Sequence, residues 1–223
     1  MELGIRTAAP DDTLAGRIAW ITALRLGFLV LLLGAVAILY LGGQLERYPF
    51  SLRVVFATIV SGFVLACLYA LVLRSGRHLQ ELAWTQIVLD QVTWTAIVYV
   101  SGGVSSGAIS FYALTCLVGA VLVGVRGSLV AAALGVGIYA LLCLALHYGW
   151  VAPPHDQSAV SYIRDAEQLT YPLLVNALGV SVVALLAGYL AERLRLTGGA
   201  LQVATARALE AERLAVLGRI AAG

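Results

Sequence analysis

Leu82-Ala83-Trp84-Thr85-Gln86-Ile87-Val88-Leu89-Asp90-Gln91-Val92-Thr93-Trp94-Thr95 sets a carboxylate in the middle of an apolar run that continues to Val100. A bilayer core takes about 20 apolar residues of helix, and Leu82–Val100 approaches that length. An Asp at the centre of a span costs about 2.5–3.5 kcal/mol on insertion scales, so it must face protein and find a partner. Gln86 lies one helical turn from Asp90 on the same face, and Gln91 and Thr93 add polarity. Ion or proton transport uses such residues, and so does a latch between helices. A single intramembrane acid favours the latch. The other intramembrane charge is Arg25, in the run Ile18–Leu41. At 1.5 Å per residue Arg25 sits about 10 Å in from the start of its run, and Asp90 about 12 Å past Leu82. The two are at nearly equal depth on helices of the same direction, which predicts that they pair. Snorkelling of Arg25 to the inner headgroups is the alternative.

Outward from this stretch the chain reads as a membrane protein. Of its 223 residues 61% are hydrophobic and 12% charged, against about 25% charged in soluble domains. Six runs approach or reach spanning length: Ile18–Leu41, Leu52–Leu73, Leu82–Val100, Ile109–Val125, Leu129–Leu146 and Leu173–Leu190. The fold class is an all-α membrane protein, a six-transmembrane-helix bundle followed by a cytoplasmic signalling or coiled-coil helix. Arg126-Gly127-Ser128 alone divides the fourth and fifth runs, so a tight turn is expected there. The net charge of +2 is too small to suggest nucleic acid. Cys67, Cys116 and Cys143 fall inside apolar runs without metal-ligand spacing and read as buried free thiols.

Arginine placement gives the orientation. With the N-terminus inside, the inner side receives Arg6, Arg17, Arg74, Arg77, Arg126, Arg193 and Arg195, and the outer side Arg47, Arg53 and Arg164. Both termini are then cytoplasmic. Residues 1–17 form a cytoplasmic segment, 18–190 the membrane domain, and 191–223 a cytoplasmic signalling helix. The outer loops are short. The longest, His147–Pro172, holds Pro153-Pro154 and the polar stretch Ser161–Gln168, where a short interfacial helix is expected. Such a loop falls below the roughly 40 residues at which small domains begin to fold unaided, so any signal is read in or at the membrane. Asn176 adds one more polar residue near the outer end of the sixth run.

After Leu190 the pair Gly198-Gly199 is expected to weaken or interrupt the helix, at about 1 kcal/mol per Gly. Across it, Leu194, Leu201, Ala208 and Ala215 recur every seven residues with Ala204 and Ala211 between, a thin a/d stripe of mostly small residues that a coiled coil and a plain solvated helix fit equally well.

Two stretches carry a resemblance. Asp90, Tyr99 and the turn Ser101-Gly102-Gly103-Val104-Ser105-Ser106 resemble the third-span region of PilS-type sensor kinases. Glu212-Arg213-Leu214-Ala215-Val216-Leu217-Gly218-Arg219-Ile220-Ala221-Ala222-Gly223 resembles the start of the dimerisation helix of bacterial sensor histidine kinases. The resemblance implies the membrane sensor module of a homodimeric two-component kinase. Its parent reaction is ATP-dependent autophosphorylation of a histidine that follows the tail run in a His-Glu pair, then transfer to a response regulator. On that reading the chain is cut before its chemistry. It holds no catalytic residue and no cofactor, and ATP and magnesium belong to the kinase domain. RegB-type kinases carry Gly-Gly-x-x-Asn-Pro-Phe at the turn and respond to quinone. Gly102-Gly103 match, but Ser106, Gly107 and Ala108 replace Asn, Pro and Phe, so the quinone pattern is incomplete. PilS-type kinases sense the membrane segment of pilin. Pilin, quinone, lipid and membrane state all stay open as signals. The competing class is a small six-span transporter or channel, which needs polar residues on several spans and often an internal repeat.

Overall fold

The computed structural model describes residues 10–158, 162 and 166–221, with side chains placed for 14–158, 162, 167–199 and 203–210. The described residues form six long helices and no strand: α1 (Pro10–Leu41), α2 (Pro49–Ser75), α3 (Leu79–Val100), α4 (Phe111–Val123), α5 (Val125–His147) and α6 (Ala166–Ala221). Two short 3₁₀ segments, Gly103–Ser105 and Gly107–Ser110, bridge α3 and α4. By length and composition α1, α2, α5 and α6 can each cross a membrane, and α4 is a shorter apolar helix extended by the second 3₁₀ segment. The six expected runs each centre on one helix, and α3, which carries Glu81 and Asp90, falls outside the helices that length and composition alone mark as spans.

Each boundary has a local cause. Pro49 sits in the first turn of α2, where its missing N–H is one the helix could not have satisfied anyway. Gly76 closes α2 in the left-handed conformation, φ 66°, and its N–H returns to the Leu73 carbonyl at 3.1 Å. The break between α4 and α5 is one residue, Gly124, at φ 80° and ψ −157°, a conformation open essentially to Gly alone. The expected turn at Arg126-Gly127-Ser128 is thus misplaced. Those residues lie in the first turn of α5, where the Ser128 hydroxyl donates to the Ala184 carbonyl of α6 at 2.9 Å. Just past the turn α4 and α5 touch through Gly119 and Gly127. A Cβ on either would collide with the other's backbone carbonyl.

Two further expectations are corrected. Gly198-Gly199 does not interrupt α6, which runs through both without a break. About 1 kcal/mol per Gly is a small cost against the hydrogen bonds that continue on each side. The sixth helix also begins earlier than Leu173, at Ala166, and contains Pro172. Of the loop His147–Pro172, expected to hold a short interfacial helix, residues 166–172 belong to α6, and 159–161 and 163–165 lie outside the described residues.

The helices α3, α4 and α5 form the middle of the bundle. The α1–α2 pair covers α3, with α1 also touching α4, and α6 covers α4 and α5. One apolar cluster joins α3 to α6 through Ile87, Val98, Tyr112, Cys116, Tyr139 and Val180. A second joins α1 to α4 through Ile18, Ile21, Tyr69, Ala83 and Leu122. Cys116 and Cys143 are buried as expected, whereas Cys67 is exposed on the outer face of α2. In lipid an exposed apolar side chain carries no penalty. Helix association rests on close packing and interhelical hydrogen bonds, and the middle helix α3 supplies most of the latter.

Candidate functional site

Buried polar groups in hydrocarbon must find partners, and α3 distributes its own to both sides. Toward α1, Asp90 pairs with Arg25, whose Nη2 donates to the carboxylate. The two side chains are 12% and 14% exposed. The Arg25 guanidinium also lies over the Tyr69 ring of α2 at 5.3 Å, a cation–π contact that extends the pair to a third helix. One turn nearer the N-terminal end of α3, Gln86 donates to the Thr22 hydroxyl at 3.3 Å, and Thr22 donates to its own helix at Ile18, 2.8 Å. Toward α5, Gln91 donates to the Ala131 carbonyl at 2.7 Å. Gly135 makes room for it, since a Cβ there would press on the Gln91 amide at 3.1 Å. Toward α4, the Trp94 indole donates to Thr115 at 3.1 Å, and Thr95 shares a hydrogen bond with the Tyr112 hydroxyl at 2.8 Å.

Beside the ion pair lies a cavity of ≈ 320 Å³ bounded by α1, α2, α3 and α4. Ile21, Phe28, Leu29, Leu65 and Ile97 make its apolar wall, and Arg25, Asp90, Thr58, Thr93 and Thr115 its polar points. Gly62 of α2 packs against Leu29 of α1 there. Leu24 of α1 and Leu114 of α4 line the same space while remaining 51% and 42% exposed. The cavity thus opens sideways between α1 and α4, toward lipid.

The turn after α3 forms a second centre at the opposite end of the bundle from the α2–α3 connection. Ser101 and Ser106 hydroxyls meet at 2.6 Å, and Ser106 accepts the Ala108 N–H at 3.1 Å. Gly102 and Gly103 have φ of 120° and 55°. The Gly102 N–H donates to the Tyr162 hydroxyl at 3.0 Å, and the Tyr162 ring packs so closely that a Cβ on Gly103 would strike it. Tyr99 donates to the Ala152 carbonyl at 2.7 Å. Asp156, from the α5–α6 loop, accepts both the Ser51 N–H at 2.7 Å and its hydroxyl at 2.8 Å, capping α2 from a distance. Gln157 bridges Ser51 to the Val100 carbonyl, each at 3.2 Å.

The structure therefore joins Arg25, Gln86, Asp90 and Gln91 through α3, and Tyr99, Ser101, Gly102, Gly103 and Ser106 in one outer turn. Asn176 belongs to neither group. It lies in a groove between the second 3₁₀ segment, α4 and α6 with Ile109, Ser110 and Tyr171, its Nδ2 buried without a hydrogen-bond partner among the described residues. Leu194, Ala204 and Ala208 are exposed on α6, while the side chains of Leu201, Ala211 and Ala215 lie outside the described residues. Tyr69, Asp156, Gln157 and Tyr162 were not singled out from the sequence. Tyr69 had a signal, because it sits about 9 Å from the C-terminal end of α2, close to the depth of Arg25 in the antiparallel α1. The loop residues had none, since loops carry no period.

A bundle of long apolar helices that holds its polar groups at mid-span belongs to the class of all-α, multi-pass membrane proteins. A family model described as the PilS-like transmembrane domain matches residues 9–200, and the chain belongs to that family. The resemblance read from Asp90 and the outer turn is therefore upheld. No curated protein and no solved structure matches the chain.

Proposed function

We propose that this chain is the membrane sensor of a two-component histidine kinase, reading a signal inside the bilayer and controlling autophosphorylation of a histidine beyond Gly223. Membership of the PilS-like family supports the kinase context. The observation that carries the reading is α6. It packs on α4 and α5 within the bundle and continues as one helix to Ala221. Its 56 residues span about 84 Å, so a shift in the membrane is passed outward without a joint. Leu194 stands 65% exposed on the part that leaves the bundle, with Leu196, Val203 and Leu209 also exposed. A second copy would cover the stripe of Leu194, Leu201, Ala208 and Ala215, while Leu196, Val203 and Leu209 lie on other faces of the helix. The arginine asymmetry puts both termini in the cytoplasm, where ATP and a response regulator are.

The Arg25–Asp90 pair beside a lipid-facing cavity is the element a ligand would bias. A ligand moves such an equilibrium only by binding one state better than the other, and the cavity is where that difference would arise. A transporter would need titratable groups along a path. Asp90 is the one acid at mid-span among the described helices, and Arg25 holds it.

Single-cysteine crosslinking along 194–210, in membranes and without the native cysteines, tests the arrangement. Crosslinks should peak every three to four residues. Uniform absence of crosslinks would overturn the dimeric sensor. The gene beyond codon 223 should encode a His-Glu pair within a few residues, and a stop codon there would remove the kinase.

A further inference from the structure

The donor capacity left open in the α1–α4 cavity belongs mainly to Arg25, with the second carboxylate oxygen of Asp90 as an acceptor beside it. Thr58 and Thr93 turn their hydroxyls back to the carbonyls of Val54 at 2.8 Å and Leu89 at 2.7 Å, and Thr115 accepts the Trp94 indole. A guanidinium carries five N–H donors in a planar fork. Among the described residues one of them donates to Asp90, and the ring of Tyr69 covers the group at 5.3 Å. The space beside it lies at the lower end of the range of about 300–1,000 Å³ that small-molecule sites occupy, and its mouth at Leu24 and Leu114 faces lipid.

A ligand that suits this site brings a planar, two-oxygen acceptor to the fork and an apolar body to the wall. It must also cross hydrocarbon to arrive, where a free charge is expensive. A carboxylic acid meets both demands, because it travels protonated and neutral. A phosphodiester headgroup keeps its charge, and its two acyl chains exceed the space. We propose that the cavity binds a single-chain carboxylic acid of the bilayer, a free fatty acid, with its head on Arg25 and its tail leaving between Leu24 and Leu114. The acid transfers its proton to the Asp90 carboxylate as its own carboxylate takes the Arg25 fork. One O–H bond breaks and one forms, and the cavity keeps one cation and one anion throughout. Asp90, now neutral, lets go of α1, so occupancy unlatches α3 from α1. The ligand class rests on the reading of this cavity as the sensory site, but its binding is measured without any kinase output.

The test uses the 223-residue chain in nanodiscs of phosphatidylcholine and a palmitic acid carrying a photoreactive diazirine on its chain, with the methyl ester of the same probe. The acid should label residues lining the α1–α4 cavity saturably, and unlabelled palmitate should compete. The methyl ester should label them about tenfold less or weaker, since it can neither give up a proton nor use the fork. Arg25→Gln should reduce labelling by about tenfold or more, the loss expected of a charge-assisted bidentate contact. Leu24→Trp, at an exposed position that the fold does not depend on, should block the mouth and reduce labelling too. Equal labelling by acid and ester, labelling spread over the lipid-facing surface, or competition by a transmembrane peptide but not by palmitate would overturn the proposal. Binding without any change in the α6 crosslinks would leave the site standing and sink the sensor reading. Absent binding with intact α6 coupling would do the reverse.

Discussion

Asp90 and Arg25 show what one buried pair does in a bundle of this kind. Each alone in hydrocarbon is costly, and together they join α1 to α3. Breaking a buried pair on one side typically costs about 3–5 kcal/mol, because the remaining charge is left uncompensated. Asp90→Asn and Arg25→Gln should therefore each destabilise the chain, and the double substitution should recover much of the loss. A double-mutant cycle on unfolding in detergent micelles measures this, and strict additivity would show that the two charges act independently. The pair was legible in the sequence because both residues stand out against apolar neighbours and the helical rise fixes their depths. The partner of Gln91 was not legible. It is a backbone carbonyl, at Ala131, and no side-chain pattern marks which carbonyl a packed helix presents. Gly119 is a second residue-scale case. Gly119→Val should destabilise the α4–α5 hairpin more than an ordinary surface change, because the added atoms meet the Gly127 backbone, which cannot step aside. Thermal unfolding in micelles should show the loss.

At the scale of elements, helix existence was plain and helix ends were not. Apolar runs of spanning length admit one reading in a bilayer, so all six helices could be seen. Their boundaries depend on single backbone conformations. The chain turns at Gly124 on its φ of 80°, while the more polar Arg126-Gly127-Ser128 stays helical because Ser128 has the Ala184 carbonyl to bond. Gly198-Gly199 misled for the opposite reason, since a weak helix former inside a long helix lowers stability without ending it. Replacing both with Ala should raise the helix content of this part of α6, with a gain of about 1 kcal/mol per residue, which circular dichroism of the chain in micelles would report. The α5–α6 loop offers an acid-dependent test. Burial acts to raise the Asp156 carboxyl, but hydrogen bonds from the Ser51 N–H and hydroxyl outweigh it and hold the group below its ordinary value of 3.8. A group lowered in the folded state stabilises it above the unfolded pKa and loses that contribution as pH falls through the folded one. The clamp on α2 should thus persist at neutral pH and release only below about pH 4. Hydrogen exchange at Ser51 should accelerate in that window, and Asp156→Asn should show much of the fast exchange already at pH 7.

The whole molecule places its polar centre between two outer layers, the α1–α2 pair on one side and α6 on the other, with α3, α4 and α5 between them. A change at the Arg25–Asp90 pair therefore reaches α6 through α4, α5 and the two 3₁₀ segments that touch both α3 and α6, and the α5 contacts include the Ser128–Ala184 hydrogen bond. Topology follows the same layering. Reporter fusions at Gly76 and Gly127 should report the cytoplasm and fusions within 101–107 the periplasm, and the reverse pattern would overturn the orientation. The central claim is that this bundle governs a kinase through α6. It is tested most directly by reconstituting the full-length gene product in vesicles and following ATP-dependent phosphorylation of histidine in three forms: unaltered, Asp90→Asn, and Asp90→Asn with Gly198→Pro and Gly199→Pro. The account predicts that Asp90→Asn shifts the phosphorylation rate and that the prolines, by breaking α6, abolish the shift. An identical rate in all three forms, or no histidine phosphorylation in any, would contradict it.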